Sequence, residues 1–364
     1  MDKFKFRYKW VVQKPLLFRR AEELLQESVK QQQITNGGPV KHRLEDYLCS
    51  FLKLNDHKCV QMTCSGTAAL HALVSSFNIK CGKPLRWATC AFTFPSSILG
   101  PCKTSIVLDN DEEYLGPSLE QLSKLSDSFD GVIVTNVFGT TVNIQTYVEW
   151  CRVNKKLLIF DNAATPLTFE DGVNVCYAGD GAIVSFHETK ALGRGEGGCI
   201  IANKDMKPLL ERACNFGFHN GFRISHSEAS NWRMSDINAA FILAYIETIT
   251  DDVIRHAFYL DAVANDCIAA SSHLKSFCPL KTNQQRFLSC ICVFTDVNID
   301  LKDFQEQSRI EAKKYYVPLC SDASTSKKWF DKIVCLPFNY KSDEKDICSM
   351  IKVLDDYIDK LLCE

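Results

Sequence analysis

Ser185-Phe186-His187-Glu188-Thr189-Lys190-Ala191-Leu192, running on into Gly193-Arg194-Gly195-Glu196-Gly197-Gly198, is the stretch whose reading decides the fold. Gly193, Gly195 and Gly198 match the spacing of a dinucleotide-binding fingerprint. That fingerprint works only between a strand and a helix, whose N-terminus carries the pyrophosphate. The next residues are instead Cys199-Ile200-Ile201-Ala202, an apolar run that reads as a strand. The glycines are therefore expected to form a flexible turn between two strands, with Lys190 on a short loop beside it. A lone lysine is ordinarily just solvated.

Outward from this point the chain alternates short apolar runs with helical stretches. Strands are expected at Lys58–Met62, Ser105–Leu108, Gly131–Phe138, Leu157–Asp161, Ala182–Phe186 and Cys199–Asn203. Helices are expected at Ala21–Lys30, around Val40–Leu52 after an Asn36-Gly37-Gly38 turn, and at Thr67–Phe77, Ser118–Leu125 and Gln145–Asn154. Such alternation predicts an α/β domain with a mixed, mostly parallel sheet covered on both faces. Beyond about residue 245 the texture changes. A helix from Ser235 to about Ala270 precedes Arg286–Val297, which alternates like a strand half exposed to solvent. A strand at Ile333–Pro337 and a helix capped by Ser342 close the chain. Residues 1–245 thus read as a large α/β domain and 246–364 as a smaller α+β domain.

Composition sets outer limits. The chain has 364 residues, 46% hydrophobic and 24% charged, which excludes a disordered protein. Forty-two basic and 44 acidic residues leave a formal charge of −2, so nucleic acid and anionic membrane are not the expected partners. A small molecule is. No apolar run reaches membrane-spanning length, and Met1–Trp10 alternates basic with aromatic residues rather than forming a signal peptide. The 18 cysteines are scattered, with no C-x-x-C. Cys290 and Cys292 would point the same way on a strand but cannot build a four-ligand zinc site alone, so no metal is expected. The thiols read as reduced packing residues of a cytoplasmic protein.

Three segments place special residues at strand ends, the edge where open parallel sheets bind ligands. Thr63-Cys64-Ser65-Gly66-Thr67-Ala68 passes from strand to helix and offers free N–H groups and hydroxyls to a phosphate. An ordinary Ser/Thr cap would look the same. Ile159-Phe160-Asp161-Asn162-Ala163-Ala164 carries a carboxylate out of an apolar strand, where burial demands a partner. That partner could be a structural salt bridge or a cationic ring nitrogen. Lys190 is the third element. Phosphate cradle, carboxylate and loop amine are together the requirements of pyridoxal 5′-phosphate.

The motifs TNGGPVKHRLEDYL, SGTAAL, AFTFPSS, VIVTNVFG, FDNAAT, GDGAIVSFHETKALGRGEGG, NWRMSDINAA, KKYYVPL and CLPF, in this order, resemble the DegT/DnrJ/StrS family of pyridoxal-phosphate-dependent nucleotide-sugar aminotransferases. The resemblance implies the fold-type I architecture and a homodimer with composite sites. It implies that Lys190 forms the Schiff base, Asp161 pairs with the pyridine nitrogen, and Phe94 stacks on the ring. Gly66, Thr67, Ala68 and Ser185 match phosphate-binding positions, and Asn231 matches an asparagine reaching the neighbouring subunit's phosphate. Ala164 stands where the family usually has His or Gln. The implied substrates are L-glutamate and a nucleotide-diphosphate 4-keto-6-deoxyhexose. C3-aminating relatives share most of these motifs, and a non-catalytic regulatory protein could share the scaffold.

Overall fold

The computed structural model describes residues 5–219, 222–223 and 228–363; Met1–Phe4, which open the alternating N-terminal stretch, lie outside them. Helices α1 (Phe18–Lys30) and α2 (Pro39–Phe51) precede β1 (Lys58–Thr63), α3 (Gly66–Cys81), β2 (Trp87–Cys90) and β3 (Ile106–Leu108). Next come α4 (Leu119–Lys124), β4 (Gly131–Thr135), α5 (Ile144–Val153) and β5 (Leu157–Asp161). Strands Gly181–Ser185 and Gly198–Asn203 complete a seven-stranded sheet, in the order β1, Gly198–Asn203, Gly181–Ser185, β5, β4, β2, β3. Gly198–Asn203 runs antiparallel to both neighbours, and the other neighbouring pairs are parallel. The expected mixed, mostly parallel sheet is present.

The glycine turn does join two adjacent antiparallel strands, since Ser185 pairs with Gly198. Each central strand alternates its side chains between two apolar layers. Ile133, Ile159, Ile183 and Ile200 face the layer built on α3 with Leu70, Leu73 and Phe77. Val132, Val134, Phe160, Val184 and Ile201 face the other layer. Both faces are covered, which is why the strands read as nearly continuous apolar runs. β2 was not expected from sequence, because Trp87-Ala88-Thr89-Cys90 is too short to show a period.

Three sequence expectations need correction. The helix from Ser235 to Ala270 is two helices, Asp236–Ile246 and Asp251–Ala269. Thr250 caps the second through its side chain to the Val253 N–H. Arg286–Val297 is not one half-exposed strand. Gln284–Arg286 pairs with Thr168–Glu170, and Cys290–Thr295 is the middle strand of a separate sheet with Leu274–Ser276 and Ile333–Pro337. That middle strand is buried except at Phe294, because Ile291 and Val293 pack with Ile347 and Met350 while Cys290 and Cys292 join an aromatic cluster. The last helix, Glu344–Cys363, is capped by Asp343 rather than Ser342: the Asp343 carboxylate accepts the Asp346 N–H at 2.8 Å. We propose that the chain divides into its two domains near residue 245.

Asp236 ties the N-terminal helices to the rest. Its carboxylate is fully buried and accepts the Val40 N–H (3.0 Å), the Lys41 N–H (2.9 Å) and the Ser28 hydroxyl (2.6 Å). It caps α2 from outside, because Gly38, at the cap position, has no side chain to do so. A Cβ on Gly38 would lie 2.3 Å from Asp236 Oδ2. Asp236→Ala should therefore leave buried donors unmet and lower unfolding stability by about 2–4 kcal/mol in urea titration. Gly38→Ala should destabilise the same junction.

Candidate active site

The carboxyl ends of β1, β2, β4, β5 and Gly181–Ser185 border a cavity of about 570 Å³. Gly66, Thr67, Phe94, Asp161, Ser185 and Lys190 all line it, so six of the sequence candidates converge. Ala68 is buried, and its N–H is taken by Ser65 Oγ at 3.1 Å. The first-turn donors left over at the start of α3 are Gly66 and Thr67. Gly66 must be glycine for the turn to approach the neighbouring strand, since a Cβ there would come within 2.8 Å of Ser185 Cβ. Asn231 does not line this cavity; it is exposed, and its Oδ1 accepts from Arg233 Nε at 2.9 Å.

Asp161 is 2% exposed, at the end of β5. Its Oδ1 accepts the Ala163 N–H at 3.0 Å. Burial raises its pKa against that hydrogen bond and the positive charge of Lys190. Lys190 is partly exposed to the cavity yet walled by dense protein. Burial lowers its pKa, and the Asp161 charge opposes the shift. A carboxylate without an ion-pair partner among the described residues and an amine pushed toward neutrality thus line one pocket. Phe94 presents a ring 54% exposed. Anion-binding amides, a slot for a cationic ring nitrogen and an uncovered aromatic face fit pyridoxal 5′-phosphate. Ala164 lines the cavity as a bare methyl. The amide of Asn136 is committed elsewhere, donating to Asn162 Oδ1 and accepting the Val142 N–H.

The loop carrying Lys190 is held from beneath by a residue that sequence reading missed. Lys14 Nζ donates to the carbonyls of Glu188 (2.6 Å), Lys190 (2.6 Å) and Gly193 (2.7 Å). Tyr245 Oη donates to the Ala191 carbonyl, and Arg194 pairs with Glu188 at 2.6 Å. Residues 7–10 help deliver Lys14 by bonding to Arg309 and Glu311, and Trp10 itself lines the cavity. Burial brings the Lys14 pKa down to about 8, with Glu188 opposing and Arg194 assisting the shift. At neutral pH it remains the ammonium, whose three protons match three carbonyls. An isolated lysine far upstream carries no local signal of this role.

The model of the DegT/DnrJ/EryC1/StrS aminotransferase family matches residues 18–352. A dTDP-4-amino-4,6-dideoxy-D-glucose transaminase of Shigella dysenteriae is 24% identical over 325 residues, 84% of this chain and 87% of that one. A GDP-perosamine synthase of Vibrio cholerae is 26% identical over 250 residues, 67% of this chain and 66% of that one. Among solved structures, DesI in the presence of its TDP-sugar product superposes with a TM-score of 0.81 at 17% identity, covering 96% of this chain and 93% of that one. Such a superposition speaks for the fold.

Lys14→Met should take the ammonium from three carbonyls, of which that of Lys190 keeps the Gly193 N–H, each unmade bond costing about 1–3 kcal/mol where buried. Hydrogen-exchange protection at residues 188–194 should fall at least about tenfold, and Lys14→Arg should restore part of it. Above pH 8 the neutral amine has two protons for three carbonyls. Wild-type protection, corrected for intrinsic exchange, should then drop with a midpoint near 8 that is missing in Lys14→Arg.

Proposed function

The chain belongs to the DegT/DnrJ/EryC1/StrS aminotransferase family, and from that premise we propose that it uses pyridoxal 5′-phosphate to move an amino group from L-glutamate to C4 of a nucleotide-linked 4-keto-6-deoxyhexose. The observation that carries this reading is that Lys190 and Asp161 line one desolvated cavity at the start of α3. The 4-amino-4,6-dideoxy sugar in the Shigella relative's name supports the C4 position. The 18 thiols are all free, which supports a reducing, cytoplasmic setting. No described helix is long and apolar enough to cross a membrane.

The bound cofactor supplies an aldehyde that takes the amino nitrogen and a pyridinium ring that draws charge from the neighbouring carbon. The residues supply the rest. Gly66 and Thr67 N–H groups, with the Thr67 and Ser185 hydroxyls, hold the phosphate. Phe94 covers one ring face. Asp161, kept from water, holds the ring nitrogen in its protonated form. Lys190 anchors the cofactor at rest. With the cofactor bound, its Nζ would take the α-proton of the donor and deliver it to the carbon on the other side of the transferred nitrogen; burial favours the neutral amine that this needs. The same groups run in reverse for the keto-sugar. Asn231 completes the phosphate site of a second subunit, making an isologous dimer.

Lys190→Ala should lower turnover by at least about a thousandfold with little change in melting temperature, since the side chain supplies a proton rather than packing. Asp161→Asn should keep the shape and slow turnover by about a hundredfold or more. A glutamate titration should convert the visible spectrum of wild type from the lysine-bound to the aminated cofactor; a spectrum unmoved by any amino acid refutes the transaminase reading. Mass spectrometry of products from 4-keto and 3-keto substrates assigns the carbon. Mixing Lys190→Ala with Asn231→Ala subunits should regenerate one intact site per heterodimer, so activity should return when exchange is confirmed.

A further inference from the structure

Cys290, Cys292 and Cys335 meet on one face of the small antiparallel sheet. Cys290 and Cys292 lie two residues apart on the middle strand, so both point the same way. Cys335 stands directly opposite Cys292 on the neighbouring strand. The N–H and C=O of Cys335 bond to Lys313 on the outer side, and the Cys292 carbonyl accepts from Phe277 on the other. The two cysteines therefore form a pair that exchanges no backbone hydrogen bonds, the arrangement that brings facing side chains closest. Their sulfurs are 3.2 Å apart, and Cys290 Sγ is 3.5 Å from Cys292 Sγ. All three sulfurs lie within 4.8 Å of one another, and all three residues are buried. Among the described residues, no other group of three His, Cys, Asp or Glu ligands closes this tightly.

We propose that these three thiols form a binding site for a thiophilic cation, zinc in the first instance. Zinc–thiolate bonds of about 2.3 Å hold sulfurs about 3.8 Å apart around one ion, so the observed spacing needs only small shifts. Three soft ligands with no carboxylate among them select zinc over magnesium or calcium. On binding, three S–H bonds give way to three sulfur–zinc bonds, and three protons leave to solvent. The dication offsets two of the three thiolate charges, so the closed site carries a net −1. Three protein ligands leave a fourth position open, as in zinc sites that exchange a ligand. Cys290 also lines the active-site cavity with Lys190, so the site adjoins the reaction centre without using its catalytic groups.

The test uses the full-length holoenzyme, kept reduced and stripped of metal by a chelator. Cadmium chloride is titrated while the sulfur-to-cadmium charge-transfer absorbance is followed, and zinc content is measured after parallel loading. Wild type should bind one tight equivalent of each. Cys292→Ser and Cys335→Ser should weaken that equivalent by at least about 100-fold. The exposed-thiol controls Cys81→Ser and Cys363→Ser should keep it. Should the core variants fail to fold, the wild-type stoichiometry decides alone: no tight equivalent overturns the site. It is equally overturned if the serine variants bind as wild type does, or if thiol trapping recovers Cys292 and Cys335 as a disulfide.

Discussion

The active centre depends on an amine and a carboxylate held in one pocket out of bulk water. Asp161 and Lys190 are each pushed by burial toward the neutral form, and each opposes the other's shift. A protein has no stabilising reason to bury a carboxylate without an ion-pair partner, because its desolvation is costly. The arrangement becomes reasonable when a cationic ring nitrogen joins the carboxylate and an aldehyde carbon takes the amine. The strongest chemical feature of the chain is thus a local instability, a carboxylate and an amine desolvated together.

Holding that instability in place takes structure from several parts of the chain. The sheet supplies Asp161 and Ser185 at strand ends, and close backbone approach brings the start of α3 beside them. Gly66 and Gly198 permit that approach: a Cβ on Gly198 would meet the Ser65 carbonyl oxygen at 2.3 Å. Beneath the lysine loop, Lys14 and Tyr245 donate to four carbonyls of a short turn, of which only that of Lys190 also accepts a backbone N–H from within the turn. Such loops are otherwise the least stable parts of a fold, and a positioned base needs the reverse. Ala164 is the exception, since it gives the cavity wall only a methyl group.

The cysteine-rich composition divides along the same lines. Ten of the 18 thiols are buried, and most fill space as small apolar groups. Burial pushes Cys90, Cys102, Cys151 and Cys176 up to about 12, so these thiols are inert. Cys290, Cys292 and Cys335 differ because their nearest polar neighbours include one another's sulfurs.

Most of the large domain was legible from sequence alone. Helical and strand periods are local properties, and each cofactor-site segment is a contiguous run ending a strand. Lys190, Asp161 and Gly66 could therefore be picked out before any fold was known, whereas Phe94 came from the family resemblance alone. Reading failed where a local pattern continued across a break, as between Ile246 and Asp251, or where burial on both faces hid behind alternation, as at Cys290–Thr295. The tertiary structure alone decided that Asp236 caps α2 from almost two hundred residues away. It alone brought Lys14 under the loop of Lys190 and Cys335 beside Cys292. Contacts of this kind join residues with no shared local pattern, and only the path of the folded chain determines that they meet.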